Sequence, residues 1–128
     1  MTGQNVKMQK TYAKGIEKRT FEFALQIIDL AKTMQRTAVA EILMRQLVRS
    51  GTSIGANVEE SQAGYSRDEF SYKMNIALKE SREACYWLRL VEQAGLARSD
   101  QISGLLDEAE QIKKILGSIV SKTRGKSK

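Results

Sequence analysis

A row of polar side chains in the middle of the sequence offers the first candidate chemistry. The row consists of Gln46, Arg49, Ser53, Asn57 and Glu60. Its intervals of three and four residues place all five positions on one ridge of a helix. In the next helical segment, Lys73 and Glu80 fall inside an apolar arc, and buried charges need partners. We therefore expect a polar network in which Arg49 faces Glu80, while Asn57 and Glu60 face the region of Lys73. This network either fixes helix register or lets Arg49 and Lys73 meet phosphate oxygens.

Catalytic and metal chemistry find little support among the other reactive side chains. The chain has no histidine, which is the commonest general base and metal ligand. A helical carboxylate metal site usually includes a Glu-x-x-His motif, and that motif is absent. The one cysteine, Cys85, has no base to activate it, so we expect a small core residue. The sequence predicts a protein that is not an enzyme and holds no metal or cofactor.

Two glycines four residues apart, Gly51 and Gly55, raise the question of a phosphate-binding loop. A loop of that kind needs a Gly-Lys-Ser/Thr sequence directly after its glycines and a preceding strand, and neither adjoins Gly51 or Gly55. Apolar residues keep helical spacing straight through this stretch instead. Because two glycines cost a helix roughly 2 kcal/mol relative to alanine, we expect a neighbouring helix to approach closely at this point.

The net charge of +6 is concentrated at the two ends of the chain. Residues 1–19 and residues 122–128 each carry a net +4, which leaves −2 for residues 20–121. Clustered cations are typical of surfaces that bind polyanions such as RNA or DNA, and a pair of solvated tails is the other interpretation. The candidate nucleic-acid-binding residues are Lys7, Lys10, Lys14, Lys18, Arg19, Lys122, Arg124, Lys126 and Lys128.

Helical periodicity divides the chain into four segments. The expected helices cover about 17–35, 38–61, 67–94 and 100–121. Thr37 and Ser66 are placed as N-caps of the second and third helices, and Gly95 stands where a helix end favours a left-handed residue. The chain has no proline to interrupt these helices.

Short connections between the segments favour an all-α, up-and-down antiparallel four-helix bundle over residues 17–121. Residues 1–16 would then form a flexible basic tail, and residues 122–128 a second basic tail. An up-and-down order places both tails at the same end of the bundle, where their charges add.

The first helix has an apolar surface too wide for one core. Its first stripe contains Phe21, Ala24, Leu25, Ile28 and Ala31, and its second contains Phe23, Ile27, Leu30 and Met34. Together the two stripes cover roughly 220°, whereas a bundle helix needs an arc of about 100–150°. Since a monomer rarely exposes such a patch, we predict a homo-oligomer with the second stripe at the subunit interface.

The middle of the chain resembles a family of bacterial four-helix-bundle proteins, the 23S ribosomal-RNA intervening-sequence proteins. The resemblance is carried by Arg49-Ser50-Gly51, by the Ser53–Asn57 stretch, by "IALKES" at residues 76–81 and by Trp87-Leu88. It implies a left-handed bundle that assembles as a homopentameric ring. Some family members are encoded within the large ribosomal RNA gene, and a related branch acts as accessory protein to retroelement reverse transcriptases. The family has no established catalytic residues.

The function favoured by the sequence is an oligomeric, non-enzymatic module that binds RNA or another nucleic acid through its basic residues. The alternative is a protein-interaction scaffold or accessory subunit, for example for a retroelement reverse transcriptase. The N-terminal residues lack the apolar stretch of a signal peptide, and no apolar run is long enough to span a membrane. A single cysteine fits a reducing compartment, so we expect a cytoplasmic protein with no membrane partner.

Overall fold

The computed structural model describes residues 2–63 and 66–126, with side chains described for 15–63 and 66–123. The described residues form helices α1 (Thr2–Thr33), α2 (Ala38–Ser61), α3 (Arg67–Gln93) and α4 (Ser99–Lys126). Each helix packs against the next one in the chain, and α4 returns to pack against α1. The prediction of an all-α, up-and-down four-helix bundle is confirmed.

Both terminal helices extend beyond the boundaries expected from the sequence. Helix α1 begins at Thr2 instead of near residue 17, and α4 ends at Lys126 instead of near residue 121. Lysine, glutamine and alanine are good helix formers without being apolar. The end of apolar periodicity therefore did not mark the end of either helix.

The helix ends use the capping residues expected from the sequence. The Thr37 hydroxyl accepts a hydrogen bond of 3.1 Å from the backbone N–H of Ala40, and Ser66 accepts one of 3.1 Å from Glu69. Gly95 has a φ of +69°, and the N–H of Leu96 reaches back to the Val91 carbonyl at 3.0 Å. This geometry is a Schellman motif, which turns the chain from α3 towards α4.

The core corrects the expected assignment of the two stripes on α1. Phe23, Ile27, Leu30 and Met34, placed at a subunit interface by the sequence analysis, are all buried inside the single chain. The exposed side chains belong to the other stripe, where Phe21 and Leu25 keep about half their surface. Both stripes are apolar, so contacts with α2 and α4, which periodicity does not reveal, decide which one is buried.

Helix α1 packs closely against the two glycines of α2. A Cβ at Gly51 would stand 3.0 Å from Cγ1 of Ile27, and one at Gly55 would stand 3.4 Å from the backbone of Thr20. Ile27 and Thr20 are both fully buried. The expected close approach is confirmed at both positions, and it is tighter at Gly51.

Candidate functional site

The basic residues of the N-terminal segment, which the sequence analysis placed mostly in a flexible tail, lie on α1. Because α1 begins at Thr2, the intervals of three, four and four residues between Lys7, Lys10, Lys14 and Lys18 place these positions on one helix face. Lys18 is exposed, and the side chains of the other three lie outside the described set. At 1.5 Å per residue, the row is roughly 16 Å long.

The C-terminal end of α4 lies at the same end of the bundle as the start of α1, because the two helices run antiparallel. Lys122 is exposed on the last turns of α4. Arg124 and Lys126 belong to the same helix, with side chains outside the described set, and Lys128 lies outside the described residues.

Arg19, one of the candidate nucleic-acid-binding residues, forms hydrogen bonds within the chain. Its Nε and Nη2 donate hydrogen bonds of 2.7 and 2.9 Å to the two carboxylate oxygens of Glu108. A third bond of 2.6 Å joins Nη2 to the side-chain oxygen of Gln111. The hydrogen bond with Glu108 raises the pKa of Arg19 above its usual value. This fork-shaped pair joins α1 to α4.

Arg49 sits at the centre of the polar contacts between α2 and α3. Its Nη1 donates a hydrogen bond of 3.2 Å to Glu80, and its Nη2 donates to Glu83. Gln46 accepts a weak bond of 3.5 Å from Nε of the same guanidinium. The indole N–H of Trp87 donates to Glu83 at 3.0 Å. We call this group, Gln46, Arg49, Glu80, Glu83 and Trp87, the α2–α3 cluster.

A second ion pair joins the same two helices nearer their connection. The ammonium group of Lys73 donates to Glu60 at 2.6 Å, and this bond raises the pKa of Lys73. The structure therefore brings Glu60 opposite Lys73, as it brings Arg49 opposite Glu80.

Two of the five polar side chains along this edge of α2 form no hydrogen bond with α3. The Ser53 hydroxyl donates to the Arg49 carbonyl at 2.6 Å, and the Asn57 amide donates to the Ser53 carbonyl at 2.9 Å, both within α2. The ridge is also more exposed than the sequence analysis expected, since the Arg49 side chain keeps 48% of its surface. Long polar side chains reach water from the edge of a packed helix, so the charges of the ridge need no buried network.

Glu83 and Trp87 are the members of the α2–α3 cluster that the sequence analysis missed. Glu83 follows Glu80 by three residues and Trp87 follows Glu83 by four, so both continue the same helix edge. Glu83 lies one turn beyond Glu80 and Trp87 lies two turns beyond it, so the helical intervals that placed Glu80 on this edge also indicate both residues.

The chemistry available to these groups is ionic and hydrogen bonding. Within the described residues, no group of three or more Cys, Asp or Glu side chains is arranged to hold a metal ion. Cys85 is buried, and burial together with the nearby Glu110 raises the pKa of its thiol to about 11. A thiol in that state is a poor nucleophile at neutral pH. In the part of the chain that the structure describes, no helix is long and apolar enough to cross a membrane.

The fold and its surface cations define a four-helix-bundle protein with ionic surface sites. Residues 15–118 match the profile of the 23S rRNA-intervening sequence protein family, and the chain belongs to that family. A crystal structure at 1.70 Å of a protein of unknown function from the S23 ribosomal protein family of Bacteroides thetaiotaomicron is similar, with a TM-score of 0.79 and 34% identity. The match covers 86% of this chain and 98% of that one. No curated protein matches the chain.

Proposed function

We propose that this protein is a non-enzymatic, homo-oligomeric module that binds RNA through the basic end of its bundle. The observation that carries the proposal is the row of Lys7, Lys10, Lys14 and Lys18 on one face of α1. The ends of α1 and α4 lie together, so the C-terminal cations add to this row. The family resemblance favours a ring of five subunits, which would repeat the basic end around an axis, and the single cysteine favours a cytoplasmic location.

RNA is the favoured polyanion because the matching family is named after an intervening sequence of 23S rRNA. The contacts would be made with phosphates, since lysine offers charge without base recognition. Tyr12 is the single aromatic residue in the first twenty, so stacking on exposed bases would contribute little. Affinity would therefore depend on salt more than on sequence.

The salt dependence gives a quantitative expectation. If four lysines each neutralise one phosphate, the binding constant falls by about 50- to 150-fold between 50 and 200 mM salt. The test is a fluorescence-anisotropy titration of a labelled, structured RNA at these two salt concentrations. No binding at the lower salt concentration would overturn the proposal.

A pair of matched variants locates the RNA-binding surface. Replacing Lys7, Lys10 and Lys14 with glutamine removes three charges from the row, and we expect affinity at low salt to fall at least tenfold. The control replaces Lys32, Arg36 and Arg45, which are exposed towards the opposite end of the bundle, with glutamine. It removes the same charge and should change affinity much less. Equal losses in the two variants would show that binding follows net charge and not the basic end.

The alternative function, an accessory subunit for a protein such as a reverse transcriptase, requires a protein-binding surface. Tyr72 is the most exposed large aromatic side chain of α3, at 64%, and it adjoins the Lys73–Glu60 pair. If this alternative holds, a complex with the partner would survive size-exclusion chromatography and be lost in Tyr72→Asp. RNA affinity would be unchanged by that substitution.

A further inference from the structure

The outer face of α1 carries apolar side chains that the chain's own core does not cover. Phe21 is 54% exposed and Leu25 is 50% exposed, and the partly buried Ile28 continues the row. The opposite side of the same helix already supplies the core with Phe23 and Ile27. We call Phe21, Leu25 and Ile28 the α1 strip.

A second uncovered apolar surface lies on α3 and the start of α2. Tyr86 is 47% exposed and packs edge to face against the partly buried Trp87, with ring centroids 5.1 Å apart. Ile42 is 61% exposed and lies seven residues before Arg49, while Trp87 lies seven residues after Glu80. Since Arg49 pairs with Glu80 across antiparallel helices, Ile42 and Trp87 occupy neighbouring positions two turns further along. We call Ile42, Tyr86 and Trp87 the α3 ridge.

The two surfaces carry opposite charges at matching intervals. On α1, the exposed Glu22 and Asp29 stand three residues before and four residues after Leu25. On α3, the exposed Arg82 and Arg89 stand four residues before and three residues after Tyr86, and the Arg89 guanidinium lies 5.9 Å from the centre of the Tyr86 ring. Within the described part of the chain, none of these four charged groups forms an ion pair.

The charges also lie on corresponding sides of their surfaces. Glu22 and Asp29 line the groove between α1 and α4. Arg89 is close enough to Glu110 on α4 to influence its pKa. On both surfaces, then, the charged edge faces α4, and the apolar edge lies on the side of α2.

We propose that the α1 strip of one copy packs on the α3 ridge of the next copy, with the two helices parallel. With Leu25 set against Tyr86, Glu22 comes beside Arg82 and Asp29 beside Arg89, each within one residue, or about 1.5 Å, of register. In an up-and-down bundle α1 and α3 point the same way, and rotation about an axis along the bundle keeps them parallel. The inference rests on the homo-oligomer of the proposed function and specifies its contact.

Because the two surfaces differ, the contact is heterologous, and each copy retains one open surface until the assembly closes into a ring. Self-pairing of two α1 strips about a two-fold axis is disfavoured. It would bring Glu22 and Asp29 of one copy next to the same carboxylates of the other, and like charges at an interface cost free energy.

Two single variants and their mixture test this arrangement by native mass spectrometry and sedimentation velocity. Leu25→Asp spoils the α1 strip and Tyr86→Asp spoils the α3 ridge, and both positions are exposed, so both variants should fold. Each variant alone is expected to be monomeric. Their equimolar mixture is expected to form a one-to-one dimer, because each still offers the surface that the other lacks. Ser118→Asp, at an exposed position of α4, is the matched control and should assemble like the parent protein.

The possible outcomes distinguish an error in this contact from an error in the proposed oligomer or in RNA binding. If the unmodified protein is a monomer at tens of micromolar, both the contact and the oligomer are wrong, while RNA binding is measured independently by anisotropy. If the protein assembles but the two variants also assemble, or if their mixture stays monomeric, the pairing of these two surfaces is wrong and the oligomer stands. A charge reversal adds a check: Glu22→Arg with Asp29→Arg should block assembly, and Arg82→Glu with Arg89→Glu in the same chain should restore it.

Discussion

Arg49 on α2 and Glu80 on α3 are joined by a hydrogen bond of 3.2 Å between Nη1 and Oε1. Their surroundings are unequal, because the Glu80 side chain keeps 15% of its surface while that of Arg49 keeps 48%. The guanidinium therefore reaches in from the solvent edge to a carboxylate that is nearly covered. Glu83 shares the same guanidinium, so one cation serves two acids on the facing helix.

Removing the Arg49 guanidinium should destabilise the bundle through this unequal pair. We expect Arg49→Gln to lower the free energy of unfolding by about 1 kcal/mol, since a largely covered carboxylate loses its partner. A double-mutant cycle with Glu80→Gln, measured by urea unfolding, should give a coupling energy of roughly 0.5–1 kcal/mol. The pair Arg98–Asp100, exposed by 81% and 69%, is the control and should show almost no coupling. Equal coupling in the two cycles would contradict a special role for Glu80.

Gly51 should resist replacement by alanine although alanine favours helices. A Cβ there meets Cγ1 of Ile27 at 3.0 Å, and Ile27 is fully buried with little room to move. Overpacking of this kind costs about 1–3 kcal/mol, against a propensity gain of about 1 kcal/mol. We expect Gly51→Ala to lose roughly 1 kcal/mol in thermal or urea unfolding.

The matched replacement is Gly104→Ala on α4, where a Cβ meets no heavy atom within 4 Å. Because no contact opposes the new methyl group, the higher helix propensity of alanine should raise the free energy of unfolding by about 1 kcal/mol. If Gly51→Ala stabilised the protein as much as Gly104→Ala, the contact between α1 and α2 at Gly51 would be looser than the structure shows.

The elements and their pairing could be predicted from local signals. The hydroxyls of Thr37 and Ser66 identified two helix starts, and the intervals around Arg49 identified the edge of α2 that faces α3. These features depend on residues within a few turns of one another, where helical geometry allows few arrangements. Antiparallel packing across a short connection then brings Glu60 opposite Lys73.

The features that escaped prediction depend on distant parts of the chain. Ile27 is buried and Leu25 exposed because α2 lies on one side of α1, and either stripe of α1 alone could fill a core. Arg19 resembled the neighbouring Lys18 in a basic segment, yet its partner Glu108 is 89 residues away in the sequence. Composition shows that a charge is present, but only packing shows whether it is already paired.

Lys18 and Arg19 should therefore separate RNA binding from stability. Lys18→Gln removes an exposed charge of the basic row, so we expect RNA affinity at low salt to fall by roughly threefold to tenfold. Its effect on stability should stay within about 0.5 kcal/mol. Arg19→Gln breaks the two-bond pair with Glu108 and should lower the free energy of unfolding by about 1 kcal/mol, with a smaller effect on RNA. If Arg19→Gln weakened RNA binding more than Lys18→Gln did, and Lys18→Gln lowered the free energy of unfolding more, Arg19 would be the RNA-binding residue of the two.

Cys85 should react with thiol reagents only when the chain unfolds. Burial raises the pKa of its thiol from 9.0 to about 11, so the folded protein contains little thiolate at pH 8 and the sulfur is out of reach. We expect iodoacetamide to label the native protein very slowly and the urea-unfolded protein at the rate of a free cysteine. The chain has one cysteine, so a single mass increment reports the reaction. Equal rates in the two states would show that the site is open.

The same thiol should make stability depend on alkaline pH. Its pKa is higher in the folded chain, so the folded state holds the proton more tightly. The resulting stability is fully present below pH 9 and is lost as the pH rises towards 11. Cys85→Ala has no thiol to titrate, although it loses some packing. The free-energy difference between the parent protein and Cys85→Ala, measured by urea unfolding at pH 8, 9.5 and 10.5, should therefore shrink at the higher pH values. A constant difference would mean that the thiol titrates alike in both states.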